Sequence, residues 1–376
     1  MKLIEVFRVS RNAGISRSAT PGSARIPACL AFVERRVSRQ SRAHRLLGIA
    51  VACALAVSLA PALGQSKKKK KAGESTATAV VPQRPALWRD PGPVENLDFV
   101  NGPGGRKHSP KPPFTFVEED SGGTNPKIKI TDAAGQSWGV KWGSEIHSEV
   151  FASRLIWAAG YHVEPAYFVK SGKVQGVTRV SRAKKYLGSD GSFTNARFEL
   201  KEKGITKQTD KQSWRWDRNP FTGTRELNGL KIMVMLTSNW DPKDQRDTES
   251  NTAIYTTKKT GEVTYVMSDW GATMGKWGGV LSREKWDCDG FSSQTRKFVT
   301  GVEGGMVRFG YDGKREQDIR DGIRVSDVRW LLGFIGRITD AQIRAGLGAS
   351  GATVEEIDCF TMAIRERINQ LKNAAR

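Results

Sequence analysis

Cysteine and histidine, the residues that most often bind zinc or, in the case of cysteine, form disulfides, are scarce in this sequence. Its 376 residues include four cysteines and four histidines, with no Cys-x-x-Cys pair and no cluster of cysteines and histidines. Structural zinc sites take four such ligands at short spacings, so the sequence argues against a zinc site.

Excess positive charge is scarce in the part of the chain that is expected to fold. The net charge is +21, but residues 1–64 carry ten Lys/Arg against two acidic residues, and Lys67–Lys71 add five more. Only about +8 remains after residue 71, and no recognition-helix motif occurs there. The folded part is therefore mildly basic, and we predict no nucleic-acid partner.

One long apolar stretch lies near the amino end of the chain. Residues 46–63 read LLGIAVACALAVSLAPAL and follow the basic segment RRVSRQSRAHR. Ala62 and Gly64 are small residues of the kind that signal peptidase accepts, so cleavage after Gly64 is expected. The run is short and rich in alanine, which favours export over an uncleaved membrane anchor. We therefore predict a leader over residues 1–64, a periplasmic or extracellular location, and no stable membrane span after cleavage.

Export would leave two of the four cysteines, Cys288 and Cys359, in the mature chain. In an oxidising compartment these two can form a disulfide, but two buried thiols fit the sequence equally well. The sequence leaves both alternatives open.

Between the leader and the first predicted strand, residues 65–112 are rich in lysine, proline and glycine. A segment of this composition buries little apolar surface. We therefore predict that it is an extended or disordered linker.

The remaining chain has the composition and pattern of a folded α+β protein. Hydrophobic residues make up 38% of the sequence and tryptophan occurs eleven times, enough for a sizeable core. The stretch PKIKITDAAGQSWGVKWG alternates apolar and polar residues around a turn at Ala134-Gly135, which indicates a β-hairpin. Next, SEIHSEVFASRLIWAAG shows helical spacing, HVEPAYFVKSGKVQGVTRV returns to strand, and the later chain is mainly helical. We predict a small β-rich lobe with one helix over residues 113–178 and a larger, mainly helical lobe over 179–376.

An unusually polar segment, SNWDPKDQRDTESNTAIY, follows one of the predicted helices. It spans Ser238–Tyr255 and contains four acidic residues and two asparagines. The helix would deliver Asp241 at its end, with Asn251 on the same loop, and a later strand ends at Asp269 in SDWG. Phosphoryl transfer uses such a set: a carboxylate near the acceptor hydroxyl, and an amide oxygen with a second carboxylate that hold Mg²⁺ on the phosphates of ATP.

Phosphoryl transfer also needs positive charge and backbone amides around the phosphates, and upstream residues are suited to both roles. Lys141 lies in the strand WGVKWG, and Glu149, eight positions later, lies in the following helix at a place suited to pairing with it. The stretch SGGTNPK is a glycine-containing turn between strands, and its amides can face phosphate.

These segments together resemble the HipA-type serine/threonine kinases. SGGTNPKIKI resembles their phosphate loop, SNWD their catalytic loop, and SDWG the place of their metal-binding aspartate, in the same order over roughly residues 114–275. The resemblance implies a two-lobed protein-kinase-like fold with ATP and Mg²⁺ as cofactors. It also implies that Lys141 and Glu149 form an ATP-orienting ion pair and that Asp241 is the catalytic base. Asn251 and Asp269 would be the metal ligands. The phosphate contacts would come from Ser121, Gly122, Gly123 and Lys127.

The predicted function is therefore that of an exported kinase-like phosphotransferase, whose partners are a nucleotide and a protein, sugar or lipid hydroxyl. Two alternatives stay open. One is a catalytically inactive kinase-like module that binds nucleotide or a partner, which metal-dependent ATP turnover would distinguish from the enzyme. The other is a cell-surface or glycan-binding protein, because Trp214 and Trp216 in SWRWDRNPFTGTRE would lie on one face of a strand and stack on sugars.

Overall fold

The architecture comes from a computed structural model, which describes residues 85–208, 212–279 and 283–376. The predicted leader, its cleavage site after Gly64 and the run Lys67–Lys71 lie outside these residues. Within them the order of elements is that of a mixed α+β protein, as the sequence predicts. The strands and helices are β1 (Phe114–Asp120), β2 (Lys127–Thr131), β3 (Ser137–Lys141), α1 (Ile146–Ala158), β4 (Ala166–Gln175), β5 (Ser192–Lys201), β6 (Ile205–Lys207), α2 (Arg225–Leu236), β7 (Thr252–Thr257), β8 (Val263–Met267), α3 (Cys288–Thr295), β9 (Val299–Glu303), β10 (Met306–Phe309), α4 (Glu316–Arg320), α5 (Val325–Ile335), α6 (Asp340–Ala349) and α7 (Val354–Ala374).

The first five strands form a small closed barrel in the order β1-β2-β3-β5-β4. Neighbouring strands are antiparallel, except that β1 and β4 pair in parallel through Phe114 and Val174. The predicted hairpin is confirmed as β2 and β3, in which Ile128 lies opposite Val140. Buried aromatic and aliphatic side chains from all five strands fill the interior of the barrel.

The barrel is completed by β5, which lies between β3 and β4. The β-rich part of the chain therefore continues to Lys201, whereas the sequence pattern predicts that it ends at residue 178. The strand signal of SFTNARFELK is weak because Arg197 and Glu199 read as solvent-facing residues. In the structure both side chains line a cleft and form an ion pair with each other. The alternation of polar and apolar residues along the strand alone does not explain why charged side chains occupy these positions.

Residues 85–112 are folded against the rest of the chain, which corrects the prediction of a disordered linker for this stretch. Leu87, Val94 and Phe99 are buried in the main hydrophobic core. Trp88 donates a hydrogen bond from Nε1 to a carbonyl just after α1, at 2.8 Å. The prediction failed because the few apolar residues among the prolines and glycines enter a core that distant parts of the chain build, which average composition does not reveal.

The larger part of the chain is built around α2, which is buried on nearly every side. Helices α4 and α5 pack on α2, and α7 packs on α3, α5 and α6. The β6-β7-β8 sheet and the β9-β10 hairpin complete this part. None of the described helices is both long and apolar enough to cross a lipid bilayer.

Helix α1 joins the barrel to the helical part. It follows the barrel strand β3 directly in sequence, yet Phe151, Leu155 and Ile156 on this helix belong to the same hydrophobic core as α2. Helix α1 is therefore fixed to both the barrel and the helical part, and so are the side chains that it carries.

Cys288 and Cys359 form a disulfide, which decides between the two alternatives that the sequence leaves open. Cys288 is the first residue of α3 and Cys359 lies in α7, and these two helices pack against each other. The bond closes a loop with a sequence separation of 71. It therefore limits how far the unfolded chain can expand.

Replacing both cysteines, in Cys288→Ser/Cys359→Ser, is expected to lower the free energy of unfolding by about 2–5 kcal/mol, because the unfolded chain regains the entropy of the open loop. Urea unfolding of the oxidised wild type and the double variant measures the difference. Wild-type protein under reducing conditions is the control and should match the double variant. Equal midpoints for oxidised wild type and variant would contradict a stabilising role for the bond.

Candidate functional site

A cleft with a cavity volume of about 840 Å³ lies between the barrel and the helical part. Its walls come from β2, β3 and β5 on one side and from the loops that follow α2 and β8 on the other. Ser121, one of the nine residues singled out in the sequence, does not line it. The other eight do, and they are Gly122, Gly123, Lys127, Lys141, Glu149, Asp241, Asn251 and Asp269. The structure therefore brings distant segments of the chain together in one place.

Lys141 ends β3, and its side chain lies between two carboxylates. Nζ is 2.5 Å from Oε1 of Glu149 and 2.5 Å from Oε2 of Glu145. The chain turns sharply at Gly143, where φ is +117°, so that α1 begins beside the strand and presents Glu149 in its first turn. The ion pair predicted between Lys141 and Glu149 is therefore present. Burial lowers the pKa of Lys141, but the charges of Glu149, Asp269 and Glu145 together outweigh burial and raise the pKa, so the ammonium stays protonated at neutral pH.

A second cation binds Glu149 from the other side. Nε of Arg197, on β5, lies 2.9 Å from Oε2 of Glu149, and the same guanidinium contacts Glu199. Glu149 therefore connects α1 to both β3 and β5. The sequence does not predict Arg197 as a site residue, because the pattern of β5 does not indicate a strand.

Glu145 is a further site residue that the sequence analysis missed. Besides Lys141, it contacts Lys285 from the helical part through Oε1, and its Oε2 accepts a hydrogen bond from Nδ2 of Asn125 at 2.5 Å. Its side chain lies against Gly271, where a Cβ would be only 2.8 Å from Cδ of Glu145. Burial raises the pKa of Glu145, but the charge of Lys141 and hydrogen bonds from Lys141 and Lys285 lower it to about 2. Glu145 therefore stays ionised and pairs with the Lys141 ammonium, the group that an anionic ligand would contact.

For a nucleotide whose phosphates contact Lys141, Glu145→Gln is expected to tighten binding about tenfold, or about 1.4 kcal/mol, because one of the two negative charges beside Lys141 is removed. Isothermal titration calorimetry with ATP and Mg²⁺ measures the change. The variant should also lose a pH-dependent part of its stability. Since the pKa of Glu145 is lowered, this contribution is present at neutral pH and is lost as the pH falls from about 4.5 towards about 2. Weaker nucleotide binding by the variant would show instead that Glu145 positions Lys141.

Asp241 lies on the loop that follows α2, and neighbouring groups hold it at the cleft. Ser238 has φ +50°, a left-handed conformation that turns the chain away from the helix axis. Oδ1 of Asn239 then accepts a hydrogen bond from the Asp241 amide at 3.0 Å. Two lysines contact the carboxylate of Asp241: Nζ of Lys314 is 3.1 Å from Oδ1, and Nζ of Lys243 is 3.4 Å from Oδ2. The carboxylate is therefore bound by positive charge on both oxygens.

Lys314 is remote from Asp241 in sequence and carries no local signal that predicts its position. It follows β10, and its amide donates a hydrogen bond to the Trp240 carbonyl at 3.0 Å. Tyr311, from the same loop, donates from its hydroxyl to the Asn239 carbonyl at 2.6 Å. These two hydrogen bonds join the loop after β10 to the loop after α2, and they bring Lys314 to Asp241.

Asn251 and Asp269 are brought together by the β7-β8 hairpin. Asn251 directly precedes β7, and Ser268 and Asp269 directly follow β8. Because antiparallel strands place the start of one beside the end of the other, the Ser268 amide donates to the Asn251 carbonyl at 2.8 Å. Nδ2 of Asn251 donates in turn to the Asp241 carbonyl at 2.7 Å. The three residues that the sequence analysis expected to act together therefore meet in the cleft.

The oxygens of Asn251 and Asp269 suit a hard divalent cation. Nδ2 of Asn251 donates to Asp241, which leaves the side-chain oxygen available to coordinate a cation. In Asp269, Oδ1 accepts a hydrogen bond from the Gly271 amide at 2.8 Å, and Oδ2 has no hydrogen-bond donor among the described residues. The described chain contains no cluster of three or more His, Cys, Asp or Glu arranged to hold a metal ion. One carboxylate and one amide oxygen match Mg²⁺, which takes its other ligands from water and phosphate.

The turn between β1 and β2 lies at the edge of the cleft. Gly123 has φ +67°, a left-handed conformation that favours glycine. The Gly122 amide donates to Oδ1 of Asp120 at 2.9 Å, and Nζ of Lys127 lies 3.4 Å from Oδ2 of the same carboxylate. The Asp120 carboxylate therefore contacts the Gly122 amide and the Lys127 ammonium, both of which the sequence predicts to contact phosphate.

Two of the four acidic residues in the polar segment after α2 hold the loop itself. Asp244 is fully buried, accepts a hydrogen bond from the Trp216 amide at 3.0 Å, and lies 2.5 Å from Nη2 of Arg246. Asp247 lies 2.9 Å from Nη2 of Arg315, which precedes α4. The segment therefore combines residues that line the cleft with residues that fix its conformation.

Trp214 and Trp216 are buried, which corrects the prediction that they lie on one face of a strand and stack on sugars. Trp216 has no exposed surface and Trp214 only 3%. Their indole nitrogens donate to the carbonyls of Val266 and Pro242, both at 2.9 Å. The described segment 213–219 is not a strand, and both rings belong to the main core. The feature that favoured glycan binding is therefore part of the hydrophobic core.

No protein-family model matches the chain, and no curated protein matches it. Among solved structures, the chain is similar to the Golgi casein kinase with Mn/ADP bound, at 11% identity and a TM-score of 0.39, over 75% of this chain and 75% of that chain. It is similar to a second structure of the Golgi casein kinase at 11% identity and a TM-score of 0.36, over 76% of this chain and 77% of that chain. Similarities at this level assign neither a family nor an activity to the chain.

Proposed function

We propose that this chain is a kinase-like phosphotransferase that uses a nucleotide and a divalent cation. One observation carries the proposal: the Lys141–Glu149 ion pair meets Asp241, Asn251 and Asp269 in a single cleft. The resemblance of the same segments to the HipA-type kinases supports the assignment. The position of this cleft between a small β-rich part and a larger helical part is consistent with a protein-kinase-like fold.

Lys141 would contact the phosphates of the bound nucleotide. Its ammonium is protonated, it lies at the end of a barrel strand, and it is held by Glu149, which Arg197 binds in turn. A positive charge that is fixed in this way needs no reorganisation when charge shifts during the reaction, so it stabilises the transition state efficiently.

Asn251 and Asp269 would hold the cation, each through one side-chain oxygen. A bound Mg²⁺ or similar ion supplies neutralisation of the phosphate charge. Asn239 connects the two sides of this site, because Nδ2 donates to the Asp269 carbonyl at 3.2 Å while Oδ1 accepts from the Asp241 amide. The cation ligands and Asp241 are therefore held relative to each other by the protein itself.

Asp241 would orient the acceptor hydroxyl and accept its proton while the acceptor oxygen forms its bond to the terminal phosphorus and the bond from that phosphorus to the leaving nucleoside diphosphate breaks. Lys243 and Lys314, which contact its two oxygens, place positive charge where negative charge develops on the transferred group. The acceptor would be a hydroxyl of a protein, a sugar or a lipid.

Thermal unfolding with and without ligand tests the proposal. At millimolar ATP and Mg²⁺, the wild-type protein is expected to unfold about 3–6 °C higher than without ligand, since a ligand that binds only the folded state stabilises it. Labelled ATP should also lose its terminal phosphate to an acceptor or to water. Absence of any ligand-dependent shift would contradict the proposal.

A catalytically inactive nucleotide-binding module is the second candidate, and one observation favours it. Both oxygens of Asp241 are already bound by lysines, a contact that a free base would not have. Stabilisation by ATP and Mg²⁺ without any phosphoryl transfer would select this candidate over the enzyme.

We also propose that the protein is exported. The Cys288–Cys359 bond supports this location, since disulfides persist in oxidising compartments. Sequencing the amino end of the native protein tests it, with a mature start near Gln65 as the expected result. An intact leader on native protein in the cytosol would contradict it.

A further inference from the structure

Arg182 lies outside the cleft but is bound to the turn at its edge. Its guanidinium donates three hydrogen bonds to backbone carbonyls: Nη1 to Ser121 at 2.7 Å, and Nη2 to Gly123 at 2.9 Å and to Thr124 at 2.5 Å. Arg182 does not line the cavity, whereas Gly122, Gly123 and Thr124 do. The side chain therefore binds the outer side of a turn whose inner side faces the cleft.

The direction of these carbonyls determines where the amides of the turn point. In a planar trans peptide, the N–H of a residue points opposite to the C=O of the residue before it. The three carbonyls point towards Arg182, so the amides of Gly122, Thr124 and Asn125 point away from it. The Gly122 amide donates to Asp120, and no group in the described chain accepts a hydrogen bond from the amides of Thr124 and Asn125. Two backbone donors are thus left for a ligand.

Contacts with β1 hold Arg182 itself in place. Glu119 on this strand accepts hydrogen bonds from the amides of both sequence neighbours of Arg182, Ser181 and Ala183, each at 2.7 Å. Ala183 is also fully buried against the barrel core. The backbone that carries the Arg182 side chain is therefore held in place relative to the strand from which the turn departs.

The contacts of Asp120 independently indicate that the inner side of the turn binds oxyanions. Its carboxylate accepts from the Gly122 amide and lies 3.4 Å from Nζ of Lys127. Phosphate oxygens make the same kinds of contact with backbone amides and ammonium groups. A phosphate that displaces Asp120 would meet the amides of the turn and Lys127 together.

We propose that Arg182 is a positioning residue for nucleotide phosphates: by binding the outer carbonyls of the turn, it holds the amides in the orientation that phosphate needs. This inference rests on the proposed function, because it concerns the same nucleotide. Glycine-containing turns rotate their peptide planes easily, and ordering them at the moment of binding lowers affinity. Because Arg182 acts through the turn, its replacement is expected to weaken binding of the phosphates and to leave binding of the nucleoside unchanged.

Equilibrium binding of ATP, ADP and adenosine to wild type and to Arg182→Ala tests the inference, by calorimetry in the presence of Mg²⁺. For the variant, the Kd of ATP is expected to rise about tenfold, while the Kd of adenosine stays within about twofold. Steady-state kinetics should show the same rise in the KM for ATP with little change in kcat. The melting temperature without ligand should stay within about 2 °C, because the freed carbonyls lie at the surface, where water replaces the guanidinium.

Lys184→Ala is the matched control for this experiment. It removes the same charge two residues away, from a side chain that is exposed and makes no hydrogen bond or ion pair within the described chain. It should bind ATP like wild type. Arg182→Lys keeps the charge but lacks the fork geometry that reaches three carbonyls, so an intermediate Kd is expected.

Equal ATP affinity in wild type and Arg182→Ala would overturn the inference. An equal loss for adenosine and ATP would also overturn it, since the defect would then not concern phosphate. Full recovery in Arg182→Lys would assign the effect to long-range charge and reject a positioning role. If wild-type protein itself binds no ATP, the proposed function fails and the inference fails with it, which is a different result from the other three.

Discussion

Asp241→Asn is expected to lower the rate of phosphoryl transfer by about 10²–10⁴-fold, because an amide cannot accept the proton of the acceptor hydroxyl. Asparagine has nearly the same shape, and the backbone of residue 241 keeps its hydrogen bonds to Asn239 and Asn251. Stabilisation by ATP and Mg²⁺ should therefore persist in the variant. Transfer is measured with labelled ATP at saturating nucleotide, and binding is measured by thermal unfolding.

The matched control is Asp289→Asn, which makes the same substitution on the exposed side of α3. Transfer by this variant should equal that of wild type. In Asp241→Asn, Lys243 and Lys314 lose their carboxylate partner, so ATP is expected to bind as tightly as in wild type or more tightly. Transfer within about twofold of wild type would mean that Asp241 is not the base.

Asp269→Asn is expected to abolish the Mg²⁺-dependent part of nucleotide stabilisation and, with it, phosphoryl transfer. The substitution removes the carboxylate from the proposed cation site, and two neutral amide oxygens are poor ligands for Mg²⁺. The new amide oxygen can still accept the hydrogen bond from Gly271, so the loop after β8 should stay folded. Thermal unfolding with ATP, in the presence and absence of Mg²⁺, measures the effect.

Stabilisation by ATP without metal provides the internal control for Asp269→Asn. It should be the same in wild type and variant, because Lys141 and the turn between β1 and β2 are unchanged. A full Mg²⁺-dependent shift in the variant would contradict the assignment of Asp269 to the cation. Together the two variants separate binding from transfer, since one is expected to bind without transferring and the other to lose metal-dependent binding.

Several parts of the site could be predicted because their residues are joined by short, regular segments. Lys141 and Glu149 are separated by one turn between a strand and a helix, so the pattern of that stretch already places them together. Asn251 and Asp269 flank a single hairpin, whose antiparallel pairing brings its ends into contact.

Other parts of the site could not be predicted, because their contacts join segments that are far apart. Lys314 reaches Asp241 only through the docking of one loop on another. Glu145 reads in the sequence as an ordinary helix-start residue, and its contacts with Asn125 and Lys285 depend on the positions of two other segments. A charged residue that will be buried in an ion pair has the same local pattern as one that faces water.

The sequence by itself determined the order of strands and helices around the cleft and the carboxylates and amides at their ends, because periodicity and turn chemistry act within short stretches. Only the tertiary structure decided that β5 closes the barrel, that residues 85–112 are folded, that Trp214 and Trp216 are core residues, and that Cys288 bonds to Cys359. Contacts of this kind close long loops in the chain. Their entropic cost is offset only when the whole core forms, so no single segment carries their signal.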